Sequence, residues 1–172
     1  MIIRPACPDD YEALLAIWNP VIRDTTIIFH SQERDPAMLD ELITSRRAAG
    51  HEFFVAEAEG ATEVGGTAPG AIMGFASYAQ FRPGNGYATA MEHSIVLADG
   101  ARGKGAGRAL MQRLEGHAAA AGAHTLFAGV SGENSAGIAF HQAIGFQTVA
   151  TIPEAGRKFG RWLDLVLMMK FL

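Results

Sequence analysis

The sequence predicts an α/β fold in which helices flank a mixed sheet. Three observations support this. Apolar runs of strand length alternate with segments of helical period, glycines mark most of the boundaries, and strands and helices are interleaved along the chain. The predicted order is a strand, two helices, three strands, a helix, a strand, a helix and two strands. We expect one domain over residues 1–172, because no change in composition marks a linker.

The first half of the chain contains two of the predicted helices. The first starts at Asp9 or Asp10, either of which can cap it, and Pro20 is expected to interrupt it. The second runs from Pro36 to Gly50. The glycine-rich stretch 60–70 exceeds the usual hairpin loop of about two to five residues, so we expect a mobile surface insertion. The strands predicted in this half are 2–4, 53–57, 72–78 and 89–97.

The second half contains the other two helices, each with a glycine at its end. One starts near Ala106, carries apolar residues at helical spacing and ends at Gly122. The other is capped by Asn134 or Ser135 and stops at Gly145. The predicted strands are 125–130, 146–152 and 162–171.

Composition excludes several classes of function. Apolar residues make up 49% of the chain and charged residues 19%, which indicates a soluble globular protein with no membrane partner. A formal charge of −4 argues against nucleic-acid binding. The N-terminal segment lacks a secretory pattern, so we expect a cytoplasmic protein. One cysteine and six scattered histidines predict no metal site.

The turn between the third predicted helix and the strand before it has the features of an anion site. Glycines alternate with basic residues here, so the backbone can approach an anion closely, and the first amides of the helix are unpaired. An ordinary strand-to-helix turn is the alternative, and the interleaved charges favour the anion site. The expected anion-binding residues are Arg102, Gly103, Lys104, Gly105, Ala106, Gly107 and Arg108.

Two common phosphate motifs do not fit this turn. A P-loop requires Ser or Thr after the lysine, and Lys104 is followed by Gly105. A dinucleotide fingerprint requires a third glycine at the position of Arg108.

The pattern Arg-x-x-Gly-x-Gly at 102–107 resembles the acyl-CoA pyrophosphate loop of the GNAT superfamily of N-acetyltransferases. The segment 134–146 resembles that superfamily's second cofactor segment. The runs 92–96 and 158–164 resemble the phosphinothricin and methionine sulfoximine acetyltransferase branch. The resemblance implies a mostly antiparallel GNAT-like sheet, acetyl-CoA as co-substrate, no metal and a homodimer. Relatives commonly carry an arginine where Ala88 stands, which bears on substrate identity.

The resemblance also implies roles in catalysis and cofactor binding. Glu92 matches the proposed base that takes a proton from the substrate ammonium, and a solvated strand glutamate is the alternative. Backbone at Val96 and Leu97 is expected to pair with the pantetheine arm, and Asn134 to bond it or only cap its helix. His141 stands where relatives place a tyrosine that protonates the leaving sulfur, and the alternative is that it only packs or binds the cofactor.

Four residues are predicted to bind the substrate. Arg82 lies in a segment that resembles a site for binding an α-carboxylate. A guanidinium can form a bidentate pair with a carboxylate. The alternative is a solvated surface arginine. Thr26, Phe29 and Tyr87 are weaker candidates for the pocket wall. The segment 157–162 fits either the pocket or a dimer interface.

These observations predict an acetyl-CoA-dependent N-acetyltransferase that acts on a small amino-acid analogue. The expected substrates are amines such as phosphinothricin, methionine sulfoximine or methionine sulfone, acetylated directly in a ternary complex. Two alternatives remain open: a protein or peptide N-terminal acetyltransferase, and a non-catalytic acyl-CoA-binding module.

Overall fold

A computed structural model describes residues 1–59 and 70–172, and these form a seven-stranded sheet with helices on both faces. The predicted α/β class and the order of elements are confirmed. The predicted insertion at 60–70 lies outside the described residues, apart from Gly70. The strands are β1 (Ile2–Pro5), β2 (Phe53–Glu57), β3 (Ile72–Gln80), β4 (Ala90–Leu97), β5 (Thr125–Ser131), β6 (Gln147–Lys158) and β7 (Arg161–Phe171). The helices are α1 (Tyr11–Asp24), α2 (Pro36–Ala48), α3 (Ala106–Ala120) and α4 (Ser135–Ala143).

The sheet is mostly antiparallel, as predicted, and has the order β1-β2-β3-β4-β5-β7-β6. Among the described strands, only β4 and β5 pair in parallel. Their pairing runs from Ala90 opposite Thr125 to Glu92 opposite Phe127 and stops there. On its other side β4 stays paired with β3 as far as Leu97. The sheet therefore opens between the second half of β4 and β5.

Each face of the sheet carries its own apolar core. On one face α3 buries Leu110 and Leu114 against β2 and β3. On the other face α1 buries Leu14, Trp18 and Ile22, which recur every four residues. The Trp18 ring lies 4.6 Å from that of Phe75. No helix in residues 1–59 and 70–172 is both long and apolar enough to cross a bilayer.

The prediction that Pro20 interrupts the first helix is wrong, because α1 continues through it to Asp24. Ala16 and Pro20 lie on the exposed side of α1, where water can solvate the carbonyl that the proline leaves without an amide partner. Trp18 and Ile22 stay packed on the opposite side. Asp10 occupies the N-cap position, but its carboxylate accepts hydrogen bonds from Arg4 and the Cys7 amide instead of capping α1.

A buried lysine ties β6 to the segment that links α1 and α2. The Lys158 ammonium, 4% exposed, donates to the carbonyl oxygens of Ile22 and, at 2.6 Å, Ile28. Loss of hydration on burial lowers the pKa of Lys158. On the α1 side, the Asn19 amide bonds both the backbone N–H and the C=O of Arg34 at 2.9 Å. These bonds hold the linking segment 25–35 over the opening in the sheet.

We predict that Lys158→Met lowers the free energy of unfolding by about 2 kcal/mol, because two backbone carbonyls lose a charged donor. Urea denaturation measures this change. Arg157→Met is the matched control, since Arg157 is the exposed neighbour on the same strand and should change the midpoint little. An equal loss in both variants would contradict this role for Lys158.

Candidate active site

The opening between β4 and β5 forms a cavity of about 720 Å³. Its strand walls are residues 93–96 and 128–131. Because the opening passes through the sheet, side chains from both faces line it: the α1–α2 segment and α2 on one face, and Asn134 with His141 of α4 on the other. Beyond Glu92, β5 does not pair with the edge of β4, so backbone groups there can bind a ligand.

The glycine-rich turn at the end of β4 has the geometry of an anion site. Gly103 has φ +74° and Gly105 φ +85°, left-handed values that strain any other residue. Gly105 is the N-cap of α3, so the amides that follow lack intrahelical partners and the helix dipole is positive there. A phosphate held at this turn would direct the rest of its molecule along β4 into the cavity.

Gly107 also has a packing role, which involves its missing side chain. A β-carbon at this position would lie 3.1 Å from the Phe140 ring and 3.3 Å from Leu97 Cδ1. Glycine therefore allows α3 to approach α4 and the end of β4 closely. Three basic residues belong to the turn, and Lys104 lies between the other two. Arg102 is exposed and 3.8 Å from Asp99, and Arg108 donates to the Ala143 carbonyl at 3.4 Å.

Asn134 caps α4, as predicted, and also lines the cavity. Its Oδ1 accepts a hydrogen bond from the Gly137 amide at 2.9 Å. A β-carbon at 137 would lie 2.3 Å from Asn134 Nδ2, so the cap requires glycine there. The cap uses only the carbonyl oxygen, which leaves the NH₂ donors of Asn134 for a ligand in the cavity.

Glu92 borders the cavity where β4 and β5 part. Its Oε1 lies 3.2 Å from where a β-carbon of Gly129 would stand, and Gly129 lines the cavity. The side chain keeps contact with solvent. Surrounding protein reduces its hydration and raises the pKa of Glu92, while the charge of Arg46 partly opposes that rise. A carboxyl group with a raised pKa at a cavity edge is suited to accept a proton.

His141 is buried against the opposite side of the cavity. Its Nδ1 lies 2.6 Å from the carbonyl oxygen of Gly137, which can only accept, so Nδ1 carries the proton. Burial lowers the pKa of His141, so the ring is neutral near pH 7. Its buried Nε2 then holds a lone pair and has no hydrogen-bond partner in the described part of the chain.

His93 is a cavity residue that the sequence analysis did not single out. It is 6% exposed, its ring lies 5.1 Å from that of His141, and neither nitrogen has a partner among the described residues. Burial lowers the pKa of His93 to about 3, and His141 adds to this shift when it is itself protonated at low pH. Within residues 1–59 and 70–172, no three His, Cys, Asp or Glu side chains could together hold a metal ion.

The predicted substrate residues fall in different places. Phe29 lines the cavity, and its ring packs so closely on Gly156 that a β-carbon there would lie 2.1 Å away. The other three lie outside the cavity wall. Arg82 is exposed with its guanidinium 5.4 Å from the Phe81 ring, Tyr87 is 46% exposed, and the Thr26 hydroxyl donates to Glu133 at 2.9 Å.

Two cavity arginines were also missed by the sequence analysis. Arg46 projects from α2 and Arg34 from the segment before it, where its guanidinium stacks 4.4 Å from the Trp18 ring. Helical period could have indicated Arg46, which follows buried Leu39 and Ile43 at i+7 and i+3. Arg34 lies in an irregular segment and carries no such signal.

Solved structures with the same fold include two acetyltransferases. A ribosomal-protein-alanine N-acetyltransferase from Brucella melitensis is 37% identical, with a TM-score of 0.90 over 100% of both chains. A phosphinothricin acetyltransferase from Sinorhizobium meliloti, solved in complex with AcCoA, is 29% identical, with a TM-score of 0.89 over 99% of this chain and 88% of that one.

Sequence comparison agrees with the structural match. A methionine sulfoximine/methionine sulfone acetyltransferase of Pseudomonas aeruginosa is 36% identical over 166 residues, which cover 96% of this chain and 91% of the relative. Residues 16–146 match the sequence profile described as the acetyltransferase (GNAT) family. The family resemblance seen in the glycine-rich turn and its flanking segments is thereby confirmed, and the chain belongs to the GNAT acetyltransferase family.

Proposed function

We propose that this protein transfers the acetyl group of acetyl-CoA to the amine of a small amino-acid analogue such as methionine sulfoximine, methionine sulfone or phosphinothricin. One observation carries the proposal. The cavity opens through the sheet beside Glu92, along the half of β4 that leads to the glycine-rich turn before α3. The names of the Pseudomonas and Sinorhizobium relatives support this substrate class.

The residues present fit acetyl-CoA, which supplies the thioester when bound. Amides of residues 103–108 would hold the pyrophosphate, with Arg102, Lys104 and Arg108 adding charge. The unpaired edge of β4 at Val96 and Leu97 would pair with the amides of the pantetheine arm. The Asn134 NH₂ group would donate to the same arm.

Two side chains would handle the protons. The substrate ammonium gives one proton to Glu92, and the neutral amine then forms the new C–N bond while the C–S bond breaks. The amine's second proton goes to the leaving sulfur. Because neutral His141 has only a lone pair at Nε2, it can protonate the sulfur only after it has itself received a proton there.

The second candidate function is acetylation of a protein or peptide N-terminus, which the name of the Brucella relative supports. Both candidate functions would use the glycine-rich turn before α3 for the cofactor and Glu92 as the base. They differ in the acceptor that enters the cavity from the α1–α2 side, which is a free amino acid in one and a peptide N-terminus in the other. The single domain, the cytoplasmic location and the homodimer stay predictions.

We expect thiol release from acetyl-CoA with L-methionine sulfone, L-methionine sulfoximine or phosphinothricin, and much slower release with short peptides that carry a free N-terminus. A colorimetric thiol assay over this panel separates the two candidates. Activity on the peptides alone would reject the amino-acid proposal, and no activity on any amine would favour the non-catalytic module.

We predict that Glu92→Gln lowers kcat/KM by about 100-fold while the acetyl-CoA dissociation constant stays unchanged, as expected for loss of a base. In the wild type, kcat/KM should fall as the pH drops through the Glu92 pKa, which lies above its ordinary value of 4.5, because the protonated acid cannot accept a proton. This low-pH limb should be absent in Glu92→Gln. Exposed Glu12→Gln is the control, and an unchanged rate in Glu92→Gln would remove Glu92 from this role.

We predict that Arg102→Ala weakens acetyl-CoA binding by about tenfold, because one charge-assisted contact to the pyrophosphate is lost. Calorimetric titration measures the dissociation constant, and the loss should shrink at high salt. Arg113→Ala, an exposed arginine two turns further along α3, is the control and should bind as the wild type does. Equal affinities in all three proteins would exclude Arg102 from the phosphate site.

A further inference from the structure

Arg46 is a cavity-lining cation whose charge is not neutralised by a contacting carboxylate. Its Nε and Nη1 are fully shielded from solvent and have no hydrogen-bond partner in residues 1–59 and 70–172, and it forms no ion pair there. Its neighbour Arg47, in contrast, bonds Glu52 and the Ala6 carbonyl. Arg46 therefore has donors available for a molecule that enters the cavity.

The free-energy cost of holding a charged guanidinium partly buried without a contacting carboxylate also favours a ligand at Arg46. Burial lowers the pKa of Arg46, and the charge of Arg34 lowers it further. A guanidinium nevertheless keeps its proton in proteins, so an anion in the cavity would stabilise this partly buried charge. Glu92 supplies only a longer-range attraction, and the exposed Glu41 is the other carboxylate at the cavity wall. The α2 side of the cavity is therefore positive and suited to a carboxylate.

The position of Arg46 relative to Glu92 selects the kind of anion. In an α-amino acid the amine and the carboxylate are attached to the same carbon, so their polar atoms lie within about 3 Å of each other. An amine at Glu92 therefore places its carboxylate close by. Arg46 lies on the α2 side of the same cavity, and its charge acts on Glu92. Arg82 is exposed and lies outside the cavity wall.

We infer that Arg46 binds the α-carboxylate of the acceptor amino acid, with Arg34 adding positive charge to the same site. This inference rests on the proposed function and gives Arg46 the role that the sequence predicted for Arg82. It makes the free carboxylate, rather than the side chain of the substrate, the feature that α2 recognises. A peptide N-terminus lacks a carboxylate at this position, so the same contact selects free amino acids.

The test compares two amines that differ only in the carboxylate: L-methionine sulfone and 3-(methylsulfonyl)propylamine. The sulfone group is uncharged, so no second anion can take the place of the carboxylate. In Arg46→Gln we expect KM for L-methionine sulfone to rise at least about tenfold, and kcat/KM for the decarboxylated amine to stay within about twofold. Arg46→Lys should recover part of the lost affinity.

Arg82→Gln is the comparison variant, and its KM for L-methionine sulfone should stay within about twofold of the wild type. An equal loss on both amines in Arg46→Gln, or a carboxylate-specific loss in Arg82→Gln alone, would overturn the inference. Acetyl-CoA affinity, measured by calorimetry, and the melting temperature show whether each variant is folded. If Arg46→Gln does not fold, the same comparison is made with Arg46→Lys, where an unchanged KM would also overturn it.

A failure of this inference can be told apart from a failure of the proposed function. If the wild type acetylates L-methionine sulfone but Arg46→Gln keeps its KM, only the carboxylate assignment is wrong. If the wild type accepts phosphinothricin alone, 3-aminopropyl(methyl)phosphinate is the matched amine without a carboxylate, and the same outcomes apply. If the wild type acetylates no amine in the panel, the proposed function is itself wrong.

Discussion

The parting of β4 from β5 after Glu92 is the constraint on which the rest of the site depends. Antiparallel neighbours hold β4 to β3 and β5 to β7 along most of their lengths, so these outer pairs stay in register while the central parallel pair separates. The opening exposes a strand edge and joins the two faces of the sheet. A continuously paired sheet would keep His93 and Arg46 on separate faces.

The two apolar cores give the walls of this opening different properties. The face carrying α3 and α4 surrounds His93 and His141 with Phe140 and Phe146, and this burial keeps both imidazoles neutral. The face carrying α1 and α2 supplies cations instead of neutral rings. Lys158 holds the linking segment on that face through backbone carbonyls, so the shape of this wall depends on β6 as well as on the helices.

Features that depend on residues close together in the chain could be predicted from the sequence, whereas features that depend on long-range packing could not. The cap at Asn134 and the glycine-rich turn at 103–107 are local, and short motifs were sufficient to predict them, whereas the left-handed φ values at Gly103 and Gly105 were seen only in the structure. Arg82 and Arg46 show the opposite case. Arg46 lies in the last turn of α2, whose packing across the sheet places it in the cavity, whereas Arg82 lies in the loop after β3 and is exposed. Pro20 likewise stays helical because its neighbours are packed on only one side of α1.

The sequence by itself determined the order of the elements, the glycine-rich turn before α3 and the family, because each is carried by short motifs whose residues lie close together in the chain. The tertiary structure decided which side chains share the cavity, which carboxyl and imidazole groups have shifted pKa values, and which cavity arginine has guanidinium nitrogens without a hydrogen-bond partner in the described part of the chain. These properties depend on burial and on distances between residues far apart in sequence. Burial and these distances cannot be obtained from the spacing of residues along the sequence, since hydration and Coulomb energy are determined by all the atoms around a group.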